Sequence, residues 1–216
     1  MMTQATPSYV PTELTVPRRY RDRAAYDKQA VHAVLDEALH CTIAFLRDGR
    51  PMNLPTLHAR VGETVYVHGS TGGRFALLDG EPISISVTLL DALVLARSWM
   101  HHSLGYRSVV AIGEARVVQD EDERYAAMAA LVDKLYLGRT ADSRPPTAKE
   151  LAATAIVALD LEAVSLKHRG DHVADDEADL EGSPYWAGSI AVRTVRGEAV
   201  PAPDLDPAVP LPAGLR

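Results

Sequence analysis

The first part of the chain changes from a helical to an alternating pattern of apolar residues. Behind Asp27, which can cap a helix, apolar positions recur at helical spacing and predict a helix that ends near His40. The segment CTIAFL (41–46) then alternates and predicts a strand, and the Asp-Gly step of RDGRP predicts a hairpin turn. NLPTLHAR and ETVYVHG predict a second hairpin across Val61-Gly62.

The second half of the pattern predicts two further long strands. PISISVTLL (82–90) places Pro82 at the start of a strand, where its missing N–H costs least. RSVVAIGEARVV (107–118) is the longest strand candidate, and Gly113 within it predicts a bulge or a close approach of another backbone. TAIVALDLEAVSL (154–166) alternates and predicts a last core strand.

Helices are predicted where capping pairs precede the apolar pattern. Asp120 and Glu123 have the spacing of a capping box and predict a helix over 120–135, and Thr147 with Glu150 predicts a short one. FALL (75–78) suggests a helical turn after a glycine-rich break.

These elements predict a mainly β fold with flanking helices. Strands joined by short turns pair mostly antiparallel, and a bulged, curved member favours a barrel over an open sheet. We expect an N-terminal arm over 1–26, one barrel domain over 27–170, and an acidic, proline-rich C-terminal extension over 171–216. The extension is expected to pack on the barrel or on a partner copy.

Composition narrows the class of protein. A net charge of −7 and a pI near 5.6 argue against nucleic-acid binding as the main activity. The single cysteine, Cys41, leaves no pair for a disulfide and no multi-cysteine metal site. The first residues lack the pattern of a signal peptide, and no window approaches the length of apolar sequence that spans a membrane. We therefore expect a cytoplasmic protein that binds neither membrane nor nucleic acid.

The stretch VYVHGSTGGRF (65–75) is the strongest candidate for chemistry. It lacks the lysine of a Walker loop, and the antiparallel topology argues against a dinucleotide fingerprint. Glycines and hydroxyls between a strand and a helical turn can still expose N–H groups to an anion, and Arg74 can clamp phosphate oxygens. A flexible loop with a surface arginine is the alternative interpretation.

The order of the segments resembles a known family. RRYRDRAAYDKQAVHAVLDEALHCTIAF, DGRPMNLPT, VYVHGSTGGRFALL, YRSVVAIGEARVV, VSLKHRG and WAGSIAV follow one another as in the pyridoxamine 5′-phosphate oxidase-like flavoproteins, and most closely as in the nitroimidazole-resistance reductase branch. The resemblance covers roughly residues 17–203. It implies an antiparallel, Greek-key-like split barrel of the FMN-binding type, and a homodimer with flavin sites at its interface.

The resemblance also implies a set of FMN contacts. The strand before the glycine-rich break should run its backbone along the isoalloxazine ring, and the break itself should hold the phosphate. The expected cofactor-binding residues are Asn53, Leu54, Pro55, Thr56, His58, His68, Gly69, Ser70, Arg74 and Ser108.

Two departures from the family pattern bear on the phosphate. The oxidases have Arg-Lys where this chain has Arg74-Phe75, so one cation is missing, and His58 could compensate only if it were protonated.

His101 and His102 are adjacent and cannot chelate one metal from an extended chain, so no metal site is expected. Trp186 in the extension could cover the flavin pocket or pack across a dimer.

An FMN-dependent oxidoreductase acting on a small molecule is the leading functional hypothesis, with no residue assigned as acid or base. The alternatives are a flavin- or haem-binding module without turnover and a deazaflavin-dependent reductase.

Overall fold

The computed structural model describes residues 7–212 of the chain. Its strands are β1 (Ala24–Ala25), β2 (His40–Arg47), β3 (Arg50–Val61), β4 (Thr64–Ser70), β5 (Pro82–Leu95), β6 (Ser103–Glu114), β7 (Arg116–Val117), β8 (Thr154–Asp160), β9 (Ala163–Arg169) and β10 (Gly188–Ala191). The α-helices are α1 (Lys28–Glu37), α2 (Glu121–Leu135) and α3 (Ala148–Ala152). Single 3₁₀ turns lie at Arg21–Arg23, Arg74–Leu77 and Glu177–Asp179.

The local signals in the sequence form the turns and caps that they predict. Asp48 and Gly49 both have positive φ, 51° and 71°, as the tight hairpin between β2 and β3 requires. The side chain of Asp27 accepts a hydrogen bond from the Ala30 N–H at the start of α1. Thr147 and Glu150 form a complete capping box at α3.

All strands pair antiparallel in the order β1-β9-β6-β5-β2-β3-β4-β8-β7, and β10 pairs with β5. The first and last strands of this path do not pair, so the barrel is not closed. The predicted mainly β split barrel with flanking helices is therefore confirmed.

The core fills the inside of this curved sheet. Alternate residues of the long strands point inward, among them Ile43, Ile85 and Val109, and α1 adds Val31 and Leu35 from one side. Helix α2 packs against β3 and β4, where a second apolar cluster forms around Tyr66, Ala127 and Ile156. The helices thus cover the interior and the β4–β8 part of the outer surface.

Two predicted strand boundaries were incomplete, and part of the predicted N-terminal arm lies on the barrel. Residues 154–166 form two strands rather than one, because the chain reverses between Asp160 and Ala163. The strand beginning at Pro82 runs to Leu95, past a bulge between Leu90 and Ala92. The predicted arm over 1–26 contributes strand β1, and its Tyr9 is buried against the main core.

Within residues 7–212, no helix is long and apolar enough to cross a membrane.

Candidate functional site

The strands β3 and β4 separate at the position where the sequence predicts a ligand. They pair only from His58 with Val67 to Val61 with Thr64. Beyond that point β3 pairs with β2 through residues 50–57, whereas His68, Gly69 and Ser70 of β4 pair with β8. Each strand therefore presents one edge of its backbone to a gap in the sheet. Such an edge carries N–H and C=O groups that a flat polar ligand can bind.

The predicted contacts on β3 have different orientations. Asn53 and Pro55 are exposed on the outer face, whereas Leu54 packs against the main core and Thr56 is half-buried. All four lie along the strand edge that borders the gap. Backbone N–H and C=O groups of successive strand residues face opposite edges, so alternate members of this set can present theirs to the gap.

His58 contradicts the expectation that it could carry a positive charge near a phosphate. Its side chain is completely buried, and its Nε2 lies 2.9 Å from the carbonyl oxygen of Leu35. Burial, together with the positive charge of Lys134, lowers the pKa of His58 to about 4. The ring is neutral at pH 7 and lies under α1, so it cannot compensate for the missing cation.

His68 has a buried nitrogen without a partner. Its Nδ1 and the Nδ1 of His58 are the two buried side-chain nitrogen or oxygen atoms that lack a hydrogen bond among residues 7–212. Buried polar atoms in folded proteins nearly always have a partner. His68 is the first residue of β4 beyond its last pair with β3, so a polar ligand or a bound water at the gap could give this nitrogen a partner.

The glycine-rich turn offers fewer free amides than its sequence suggests. The Thr71 N–H bonds to the carbonyl of Ala153 at 3.0 Å, the Gly72 N–H bonds to Ser70 Oγ at 3.2 Å, and the Gly73 N–H bonds to the carbonyl of Ser70 at 2.8 Å. The helical turn that follows has no side-chain cap at its start. The amides at the start of that turn and the Arg74 side chain remain for an anion.

Arg74 and Phe75 take opposite directions. Arg74 is exposed and forms no ion pair within the described residues. Phe75 is 8% exposed and packs over Gly69, where an added Cβ would lie 3.0 Å from the Phe75 ring. The residue that replaces the family lysine is therefore part of the core, and Gly69 leaves room for its ring.

Ser108 lies on a hydroxyl-rich outer face of the sheet. It pairs across the strands with Thr88 of β5 and Lys167 of β9. The neighbouring outward positions are half-buried and small: Thr42, Ala44, Ser84, Ser86 and Ser165. The alternation of buried and half-buried residues in β5 could have revealed this face from the sequence, since serine takes every second position in ISISV.

A separate aromatic cavity of about 640 Å³ lies beside the loop between β5 and β6. It is lined by Leu95, Ala96, Arg97, Trp99, His102, Tyr185 and Trp186, none of which is a predicted flavin contact. Trp99 is 92% exposed, which is unusual for so large an apolar side chain. Trp186 thus lines this cavity together with Trp99.

The C-terminal extension is tied to the same loop by polar bonds. The enclosed carboxylate of Asp175 accepts hydrogen bonds from the Arg97 backbone N–H at 3.0 Å and from its guanidinium at 2.7 Å. His101 Nδ1 donates to the carbonyl of Ala174, while His102 Nδ1 accepts from the Ala96 N–H. No cluster of three potential metal ligands occurs in the part of the chain that the structure describes.

The fold defines a split-barrel protein in which two neighbouring strands, β3 and β4, separate along part of their length. The model of the family described as pyridoxamine 5′-phosphate oxidase matches residues 27–168, well over half of the chain. The chain therefore belongs to this family.

Two solved structures resemble nearly the whole chain. The flavocytochrome Anf3 from Azotobacter vinelandii is 36% identical with a TM-score of 0.90, and 97% of each chain is covered. The FAD and heme binding protein from Mycobacterium smegmatis is 36% identical with a TM-score of 0.83, covering 89% of this chain and 95% of its own.

A nitroimidazole antibiotic resistance protein from Bacteroides thetaiotaomicron shares the fold at 17% identity and a TM-score of 0.56, covering 67% of this chain and 85% of its own. A comparison with curated proteins gave no match.

Proposed function

We propose that this protein is a homodimeric, flavin-dependent oxidoreductase whose flavin lies in the gap between β3 and β4. The observation that carries the proposal is the separation of the two strands beyond His58 and Val67, with the unpartnered Nδ1 of His68 at that point. The names of the two full-length relatives, a flavocytochrome and an FAD and heme binding protein, support a flavin.

Different residues of the chain would bind the ring system and the phosphate of the flavin. The free backbone edge of β3 from Asn53 to Leu57 suits the hydrogen-bonding rim of the ring system, and His68 can bond to it from the other side. Arg74, the Ser70 hydroxyl and the first amides of the 3₁₀ turn suit the phosphate. A bound flavin would accept and donate electrons, while the protein orients it and excludes water.

We propose FMN as the cofactor, because the corner formed by Ser70, Arg74 and the 3₁₀ turn offers one site for one terminal phosphate. A single exposed arginine and a neutral His58 make that corner weaker in cations than the Arg-Lys pattern expected of the oxidases. FAD is the second candidate, favoured by the name of the M. smegmatis relative. Release of the cofactor by heat and chromatography against FMN and FAD standards separates the two.

A homodimer is proposed because one sheet face lacks a cover. Outward side chains of β2, β5 and β6 are half-buried or exposed, and the helices lie elsewhere. A second copy placed there would bury the small hydroxyl side chains of this face and exclude water from the neighbouring flavin site. Light scattering of the flavin-loaded protein should give twice the chain mass, and a flavin-loaded monomer would contradict this part.

The visible spectrum of freshly purified protein tests the main proposal. We expect flavin absorbance and its bleaching by a nicotinamide donor under anaerobic conditions. The variant Arg74→Gln should weaken flavin binding, whereas Arg144→Gln, whose guanidinium pairs with Glu150, should not. Tight flavin binding without reduction by any donor would favour a non-catalytic module, and equal flavin affinity in both variants would refute the assigned phosphate corner.

Haem is proposed as a second prosthetic group in the aromatic cavity. The cavity volume falls within the range of roughly 300–1,000 Å³ that suits small-molecule sites. His101 does not line the cavity but adjoins His102, which does. It is the better axial candidate, because its Nδ1–H donates to a carbonyl as metal-bound histidines commonly do, although Asp176 must first leave its Nε2. His102 fits less well, since its Nδ1 accepts the Ala96 N–H and the ring proton stays on Nε2. A Soret band that His101→Ala abolishes and His172→Ala keeps would establish this site.

A further inference from the structure

Arg169 is a buried cation without a carboxylate partner. Only 7% of the residue is exposed, and it is the one arginine or lysine among the buried residues that the structure describes. Its guanidinium donates to the carbonyl oxygens of Leu104, Gly170 and His172 at 3.3, 3.2 and 3.5 Å. No ion pair within residues 7–212 includes it. Burying a charge without a counter-charge is costly, so such a residue indicates an anion site.

Arg169 has N–H donors left over for a further acceptor. A guanidinium has five N–H donors, and the three bonds use Nη1 twice and Nη2 once. The Nε–H and one Nη2–H therefore have no protein partner among the described residues. Nε is not among the buried unpartnered atoms, so solvent reaches it. Paired N–H groups of a guanidinium bind both oxygens of a carboxylate at once.

The surface beside Arg169 is apolar. Arg169 pairs across the sheet with Tyr106, which pairs with Leu90. The next outward row contains Ile190, Leu93 and Leu104, which are 49%, 37% and 47% exposed and pair across three strands. Leu95 continues the same face into the aromatic cavity. At the usual rise per residue of a strand, Leu90 and Leu95 are roughly 15 Å apart.

We propose that Arg169 binds a carboxylate of a flat, apolar ligand that lies on this face between Arg169 and the aromatic cavity. A porphyrin with its two propionates has this chemistry, with a wide apolar ring and an anionic edge. The inference rests on the haem part of the proposed function and adds the residue that recognises the acid group. The aromatic side chains Trp99 and Trp186 would hold the opposite, apolar edge of the ring.

A purely structural role for Arg169 makes a different prediction. Its bond to the Leu104 carbonyl occupies an acceptor of β6 where β9 ends, so loss of the side chain would loosen the end of the sheet. That loss would weaken the binding of every ligand on this face equally. A carboxylate site instead distinguishes ligands that differ only in that group.

Metal-free protoporphyrin IX and its dimethyl ester provide the test, because neither needs an axial ligand. Fluorescence titrations should give an at least tenfold preference of the wild-type protein for the free acid, because the ester cannot form the charge-assisted hydrogen bonds to Arg169. Arg169→Gln should lose the preference, and Arg169→Lys should keep part of it. Arg18→Gln, which removes the same charge at an exposed arginine, should keep all of it.

The outcomes separate this inference from the proposals on which it rests. An unchanged preference in Arg169→Gln, or equal loss of acid and ester, overturns the role of Arg169 and leaves haem binding standing. A wild-type protein that holds flavin but neither porphyrin overturns the inference and leaves the flavin proposal standing. If Arg169→Gln does not fold, the proposal is tested by the preference of the wild-type protein and of Arg169→Lys for the free acid over the ester. Equal wild-type affinity for acid and ester overturns the proposal.

Discussion

Acid should destabilise this protein through His58, a buried neutral histidine within the candidate flavin strand β3. Its pKa is about 4 in the folded chain, against an ordinary value of 6.5, because burial and Lys134 disfavour the imidazolium ion. Between pH 4 and pH 6.5 the unfolded chain binds a proton at His58, whereas the folded chain does not. The stabilisation is therefore complete above pH 6.5 and is lost as the pH falls towards 4.

The magnitude follows from the two pKa values. A difference of roughly 2.5 units corresponds to about 3 kcal/mol once both states are protonated. Between pH 7 and pH 5 the same linkage removes about 2 kcal/mol from the free energy of unfolding. That is a large fraction of the stability of an ordinary domain.

The substitution His58→Gln isolates this effect. The glutamine amide can still donate to the Leu35 carbonyl but does not titrate. Urea denaturation at pH 7 and pH 5 should show that the wild-type protein loses about 2 kcal/mol more than the variant. His172→Gln, at an exposed histidine, should behave like the wild type. Equal losses in His58→Gln and the wild type would refute the argument that burial keeps His58 neutral.

Three further outcomes follow from contacts described above. Gly69→Val should destabilise the fold by about 1–3 kcal/mol in chemical denaturation, because an added Cβ lies 3.0 Å from the Phe75 ring. The double variant with Phe75→Leu should recover part of that loss. An unchanged stability of Gly69→Val would contradict the tight contact between Gly69 and Phe75. Asp175→Asn should speed proteolytic cleavage within 171–187, because the carboxylate joins the extension to Arg97. Mass spectrometry of the fragments should show that the barrel stays uncut, and Asp204→Asn is the control. Arg74→Ala should raise the dissociation constant for FMN about tenfold in fluorescence titrations and leave riboflavin affinity unchanged, and an equal loss for both ligands would argue against phosphate contact.

Local chemistry predicts much of this fold. The Asp48-Gly49 turn needs residues that tolerate positive φ, and the chain supplies them at the hairpin. The caps at Asp27 and Asp120 likewise depend on residues three positions away. The reversal after Asp160 was missed because Leu161 and Glu162 are not turn residues, and a long-range bond from the Leu161 N–H to the Glu63 carbonyl holds them in place.

The candidate site depends on contacts that local patterns do not contain. The gap exists because β3 exchanges β4 for β2 along its length, and nothing in residues 50–61 signals that exchange. His58 is polar in a strand that borders a proposed ligand, yet tertiary packing places it under α1. Phe75 replaces a cation in the family pattern, and only the fold shows that its ring fills the space above Gly69.

The strand β10 covers part of one edge of β5, whose backbone would otherwise be free to pair with another molecule. Residues Ala92–Leu95 of β5 pair with Gly188–Ala191 of β10 on one side, and Ala92–Val94 pair with β6 on the other. A shortened chain that stops after Gly170 would leave four residues of hydrophobic backbone unpaired, a template for strand addition between molecules. Shortened versions of this protein should therefore keep the chain through Ala191, because ending it at the limit of the family match, residue 168, should promote aggregation.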